Sequence, residues 1–374
     1  MPQLDKGIIG IRQFTVIVIL LTLGDSILIL PSGIAGSSHQ DAWIAGILGL
    51  VFGLVAVWIF SVMGGFYPGL SLIQYTPLIA GKWLGIVLNL SFLIYFGFIV
   101  VSVSWEIGDF ITSVVMPETP IEVIELLFYG MMVFAARLGI GPIIRASEIF
   151  FPWVMLTLFV LIVMLIPQMQ LNQIQPILEK GIKPILLGTL HAGSFPYMEI
   201  FAVLIILPHI KQSQEIRKNF LIGALLGGIA LNMVLAQSIF VLGEYLTAHR
   251  FYSSFALAQR INIANFFQRL ETIIAFLWII TTYVKTTLYF YVLNVGLAQF
   301  LKLKEYKMLT VPTSMICYAL IFISIPNASF FNAVLAKVWA FYNITICMII
   351  PLLLVGIYFI RNNKLKRSGG KTQG

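Results

Sequence analysis

Charge is scarce in this chain. Only 10% of its 374 residues are Asp, Glu, Lys or Arg, whereas 59% are hydrophobic. A soluble domain carries about 25% charge because its surface must stay hydrated. So little charge excludes a soluble enzyme and a disordered chain alike. Cysteine is scarcer still. Cys317 and Cys347 sit in apolar runs without the spacing of a metal or redox pair, and read as buried apolar filler. Four scattered histidines make no metal cluster. A Walker loop, HExxH and GxSxG are all missing, so no catalytic constellation presents itself and neither metal nor cofactor is implied. A nucleic-acid partner needs a basic face with interleaved aromatics on a soluble fold, and none is present. Low-complexity segments are absent, and nothing marks a second domain. The first apolar run is too long for a signal peptide and lacks a small-residue cleavage site, so it reads as a retained span.

Long hydrophobic runs are what the chain has in plenty. They occupy 13–35, 42–63, 83–112, 121–138, 147–166, 184–207, 218–242, 269–300, 309–326 and 333–359. A spanning helix takes about 20 residues. Backbone groups in lipid must be bonded internally, so each run is expected to be helix. The class is an all-α polytopic membrane protein of about ten spans. Lys and Arg orient it. With the N-terminus cytoplasmic, sixteen fall on that side and six on the other: Lys180, Lys183, Arg250, Arg260, Arg269 and Lys337. Both termini are then cytoplasmic, and the net charge of +8 becomes a topology signal. The basic tail from Arg361 to Lys371 reads as a stop-transfer anchor that can also touch anionic lipid. In the longest outer loop, Phe255–Phe267 is amphipathic enough for a helix in the membrane interface.

Two spans contain what a lipid-facing helix avoids. The first carries Gly24-Asp25-Ser26, then Pro31. The sixth carries His191-Ala192-Gly193-Ser194-Phe195-Pro196-Tyr197-Met198-Glu199. They open the two five-span halves, and interrupted helices at matching positions point to a transporter-type site. Unwinding frees N–H groups for a carboxylate and carbonyls for a cation. The bland alternative is close packing and a proline kink. Asp25, Glu199 and Lys285 lie well inside spans and should face a cavity or each other. Lys285 is expected to pair with Asp25, to stand in for a bound cation at the first break, or to snorkel to an interface. Glu199 reads equally as a structural cap and as a protonatable switch. His191 is a candidate pH sensor, though a lone His is more often simply hydrogen-bonded. Ser91 and Tyr95 on the third span, and Thr282, Thr286, Thr287 and Tyr291 on the eighth, are candidates to close the cavity. Their hydroxyls more commonly bond the carbonyl four residues back. Arg269 and Glu271 read as an interfacial pair, with Glu106 and Asp109 as candidate partners.

The segment Gly24-Asp25-Ser26-Ile27-Leu28-Ile29-Leu30-Pro31 resembles the G-x-G-[IL]-L-x-L-P opening of the amino acid–polyamine–organocation transporter superfamily. Other stretches narrow the likeness: Thr119-Pro120-Ile121-Glu122-Val123-Ile124, Met198-Glu199, and Gln268-Arg269-Leu270-Glu271 followed by Trp278-Ile279-Ile280. In order and spacing the chain resembles the integral-membrane B subunit of endospore nutrient germinant receptors. That resemblance implies an amino acid permease-like fold, a five-plus-five inverted repeat with broken first and sixth helices. It also implies a nutrient, an amino acid above all, sensed in the spore inner membrane together with an A subunit and a C-subunit lipoprotein. Carried onto this chain, its ligand site comprises Gly24, the stretch from Gly193 to Tyr197, Tyr95 and the Thr286/Thr287 pair. Asp25 and Ser26 stand where relatives often have Ala and Gly, and Tyr197 where a relative has Gly; each change alters cavity volume and polarity. A proton- or cation-coupled amino acid symporter, with Asp25, Glu199 and Lys285 as coupling groups, is the alternative function.

Overall fold

The structure, a computed structural model, describes residues 9–211, 215–261 and 270–369. Among these, regular structure is helical, apart from one isolated bridge between Ile9 and Ile210. Eight helical runs are long and apolar enough to cross a membrane. The apolar helix Ile11–Leu23 and the 18-residue helix Ile121–Leu138 stand beside them. Each apolar run of the sequence falls on helix where it is described, apart from Gly24 and Asp25 in the first and residues 325–326 at the end of the ninth.

Helices α1 (Ile11–Leu23) and α2 (Ser26–Ser38) are separated at Gly24 and Asp25. Gly24 has φ 24° and ψ −125°, a conformation that glycine adopts without the steric penalty of a Cβ. The break therefore sits where the Gly-Asp-Ser sequence puts it. The chain reverses at His39 into α3 (Ala42–Met63). A short helix, α4 (Leu72–Ala80), leads through Gly81 into α5 (Lys82–Phe110). Next come α6 (Ile121–Leu138) and α7 (Ile140–Leu165).

Helix α8 (Ile182–Met198) corrects one expectation. It runs unbroken through Gly193, Ser194 and Pro196, and departs from α geometry only at residues 199–202, where it tightens before α9 (Val203–Ile206). The small residues of this stretch serve packing, not unwinding. A Cβ on Gly193 would collide with Phe52, and one on Gly49 with Ala192, so α3 and α8 approach at near-backbone distance. In the apolar 18-residue stretch within Ile182–His209, 83% of residues are buried, against 22% in that within Ile140–Gln168, so α8 lies at the centre of the bundle and α7 at its rim.

Beyond it run α10 (Ile216–His249), kinked at Gly243 with φ 77°, then α11 (Ser253–Ala258) and α12 (Leu270–Phe300). Helix α11 buries Ser253, Ser254, Leu257 and Ala258 against the bundle. It covers only the start of the amphipathic stretch expected at the interface; residues 262–269, Arg269 among them, lie outside the described residues. After α13 (Thr310–Ser324) the last crossing is built from α14 (Ala328–Val334), α15 (Ala340–Ile344) and α16 (Ile350–Gly369). Wide π turns at 335–339 and 345–349 join them. Arg361 at the start of the basic tail donates to Leu78 O at 2.8 Å, covering a free carbonyl at the end of α4. Glu106, expected as a partner at the outer interface, and Glu125 are buried between helices at 1% and 0% exposure.

Candidate functional site

Where α1 gives way to α2, backbone and acid need partners, and α12 supplies them from one face. Trp278, Thr281, Lys285 and Tyr289 follow one another at three- and four-residue steps, the spacing that stacks side chains along one side of a helix. Trp278 Nε1 donates to Asp25 O at 3.2 Å. Thr281 Oγ1 lies 3.5 Å from Gly24 O. Lys285 Nζ donates to Asp25 Oδ1 and, at 2.6 Å, to Glu199 Oε2. Tyr289 Oη donates to Glu199 O at 2.5 Å. One helix face thus ties the first break to the tightened turn of the sixth span.

Lys285 is 0% exposed, and Asp25 and Glu199 are each 1% exposed. Snorkelling is therefore ruled out for this lysine. Charges this deep persist only when paired and hydrogen-bonded, and removing one partner of such a group typically costs about 3–5 kcal/mol. Glu199 has a further donor, Trp339 Nε1, at 3.1 Å from Oε1. Glu106 on α5 is a further buried acid, a placement that sequence reasoning missed. The signal was available: an acid in the apolar stretch Ser104-Trp105-Glu106-Ile107 is as costly in lipid as Asp25.

A cavity of about 420 Å³ lies beside this charge cluster, between α2, α8, the end of α10 and the α14–α15 crossing. Ser32, Ser37, His191, Ser194 and Asn332 give it polar atoms; Phe195, Phe251 and Trp339 give it aromatic walls. No Asp, Glu, Lys or Arg lines it. His191 bridges its walls, with Nε2 at 3.0 Å from Ala336 O and Nδ1 at 3.0 Å from Ser37 Oγ. A carbonyl only accepts, so Nε2 carries hydrogen. Asn332 Oδ1 is buried there with no hydrogen-bond partner. Gly33 and Gly36 open onto the space: a Cβ on either would meet nothing within 4 Å. Trp339 belongs to both places, lining the cavity and holding Glu199.

The expected ligand residues divide between these surroundings. Ser194 lines the cavity. Gly24, Asp25 and Ser26 form the break, but under the Lys285 stem. Gly193 packs on Phe52, and the Tyr197 ring sits against Gly53 and Gly228 on the far side of α8. Tyr95 is near Trp339 and Tyr342, at ring separations of 6.5 and 5.6 Å. Thr286 is buried on α12 and returns its hydroxyl to Thr282 O at 2.7 Å. Thr287 is likewise buried, and Tyr291 meets Tyr306 edge-on at 5.2 Å. Asp25, Glu199 and Lys285, singled out as charges, meet in one cluster.

A helical membrane bundle with a centrally broken first span, a buried charge cluster and a cavity beside it has a transporter-like fold. Two solved transporters share the fold. A nucleobase-cation-symport-1 family transporter, MHP1, in a closed conformation with bromovinylhydantoin bound, superposes with a TM-score of 0.64 at 13% identity, covering 87% of this chain and 74% of that one. MhsT in complex with L-phenylalanine gives 0.62 at 12% identity, covering 93% and 97%. At these identities they show the fold alone. Sequence narrows the class: residues 8–331 match the family model described as spore germination protein, so the chain belongs to the spore germination permease family, as a B-type, non-enzymatic membrane subunit. Spore germination protein KB of Bacillus subtilis (strain 168) is 26% identical over 375 residues, covering 98% of this chain and 99% of the relative. YndE from the same organism is 27% identical over 301 residues, covering 78% and 81%. Spore germination protein XB of Bacillus anthracis is 23% identical over 310 residues, covering 82% and 81%.

Proposed function

We propose that this chain senses a small nutrient for a spore germination receptor, binding it in the cavity between α2, α8, α10 and the α14–α15 crossing. The observation that carries the reading is the shared position of Trp339, which lines the cavity and donates to Glu199. A ligand against Trp339 and Phe195 presses on the residues that hold the sixth-span turn to α12. Occupancy then favours one packing of the first and sixth spans over another, a population shift of the kind ligands impose through differential affinity. The cavity suits a ligand of this size, since small-molecule sites run from about 300 to 1,000 Å³. Its wall, free of Asp, Glu, Lys and Arg, suits a ligand without net charge, a condition that an amino acid zwitterion meets.

The reading extends to topology and partners. The basic excess supports a topology with both termini in the cytoplasm and the cavity on the outer side of the spore inner membrane. The short helices α4 and α11 follow the second and seventh spans at corresponding places, which supports a five-plus-five inverted repeat. The shift is passed to A and C subunits of the same receptor. The test uses spores whose only receptor contains this chain, screened with L-amino acids, hexoses and nucleosides. Gly36→Leu fills the cavity while improving helix propensity. It is expected to raise the half-maximal nutrient concentration roughly tenfold, about 1.4 kcal/mol, at normal abundance. An unchanged dose–response at normal abundance overturns the site.

A further inference from the structure

We propose that the Lys285 ammonium is a tethered cation, permanently filling a place between the first-span break and Glu199 that an exchangeable monovalent cation would otherwise occupy. The inference does not depend on which nutrient is sensed, or on sensing at all. It begins with what a break does: it frees carbonyl oxygens, and beside acids those oxygens make a cation site. Here the carbonyl oxygens of Asp25 and Glu199 are already taken. Trp278 donates to Asp25 O, Tyr289 to Glu199 O, and the one ammonium serves Asp25 Oδ1 and Glu199 Oε2 together. Every one of these donors belongs to α12.

The surroundings are those of a held cation. The Nζ atom is 5.8 Å from the Phe195 ring centre and 6.0 Å from that of Tyr289, so ring faces complete the shell. Its stem has a built passage: a side chain on Gly24 would run into Lys285 Cδ, so the missing Cβ at the break is what admits the lysine. Two carboxylates with 1% exposure require positive charge nearby, and this ammonium is the cation that supplies it. A charge fixed by four methylenes cannot dissociate. The chain therefore needs no sodium or potassium here, and truncating the lysine leaves a hole matched to a primary alkylammonium.

The purified full chain in detergent tests this through its thermal unfolding midpoint. For the wild type, exchanging sodium, potassium and N-methylglucamine chlorides at constant ionic strength should leave the midpoint unmoved. Lys285→Ala should lower it. Added n-propylammonium, the size of the lost segment, should recover it in a dose-dependent way, and 1-propanol should not. A wild-type midpoint that rises with sodium or potassium overturns the proposal. So does an alanine variant that n-propylammonium raises no more than 1-propanol. If Lys285→Ala is not recovered folded, Lys285→Met fills the same volume without charge. It should unfold below the wild type, and a wild-type midpoint for it is equally contrary.

Discussion

Gly24→Ala is the perturbation whose cost the structure lets us work out most fully. Two penalties combine. At φ 24° and ψ −125° an alanine enters a sparsely populated region, which costs about 1–3 kcal/mol. The new Cβ also lands on Lys285 Cδ. Overpacking of this kind costs about 1–3 kcal/mol. Moving the lysine aside gives no relief, because it separates the ammonium from Asp25 and Glu199. Breaking such a buried group costs about 3–5 kcal/mol. Gly24→Ala should therefore lose about 2–6 kcal/mol of unfolding free energy, measured on the purified chain in mixed micelles. In a Lys285→Ala background the collision is gone and only the backbone cost should remain. The double-mutant cycle should show a coupling of about 1 kcal/mol or more, as expected for residues in contact. A loss below about 1 kcal/mol in the wild type, or equal losses in both backgrounds, refutes the reasoning.

Two further substitutions test the packing and the link from cavity to charges. Gly49→Ala puts a Cβ 3.0 Å from the Ala192 carbonyl carbon, and backbone cannot move aside like a side-chain tip. It should cost at least about 1–3 kcal/mol, read as a lowered unfolding midpoint and reduced abundance in membranes. Trp339→Phe keeps an aromatic wall but removes the donor to Glu199 Oε1. It should cost about 1–3 kcal/mol, the price of leaving a buried charged acceptor short of a partner. It should also shift the nutrient dose–response of germination; an unshifted response at normal abundance removes Trp339 from the link.

How much of this was legible in the sequence follows from what each feature depends on. The helices were, because lipid imposes long apolar runs and internal hydrogen bonding on every crossing. The first break was too: Gly24-Asp25-Ser26 combines a residue free of Cβ with two polar ones, and nothing else in an apolar span explains them. The sixth span misled for a physical reason. Gly193 and Ser194 look like a break but serve close approach to α3, and the departure begins at Glu199, where the local sequence gives no warning. The charge cluster was half legible. Each buried charge announced a partner by its cost, yet which partner depended on how α12 sits against α2 and α8. A periodic reading of Trp278, Lys285 and Tyr289 exposes the shared face afterwards. The cavity was the least legible part. Ser32, Ser37 and Asn332 are ordinary residues in ordinary helix, made significant only by the gap the packing leaves between them.

The binding of the nutrient in that gap is tested most directly by thiol labelling. Cys317 and Cys347 are both buried, so background reaction should be low. Gly33→Cys places a thiol at the cavity wall where there is room for it. In membranes containing the receptor, a membrane-impermeant thiol reagent should label this cysteine. The nutrient that triggers germination in the screen should slow that labelling, with a concentration dependence matching its germination response, and nutrients that do not trigger should leave it unchanged. Labelling that proceeds at the same rate with and without the triggering nutrient would contradict binding at this site.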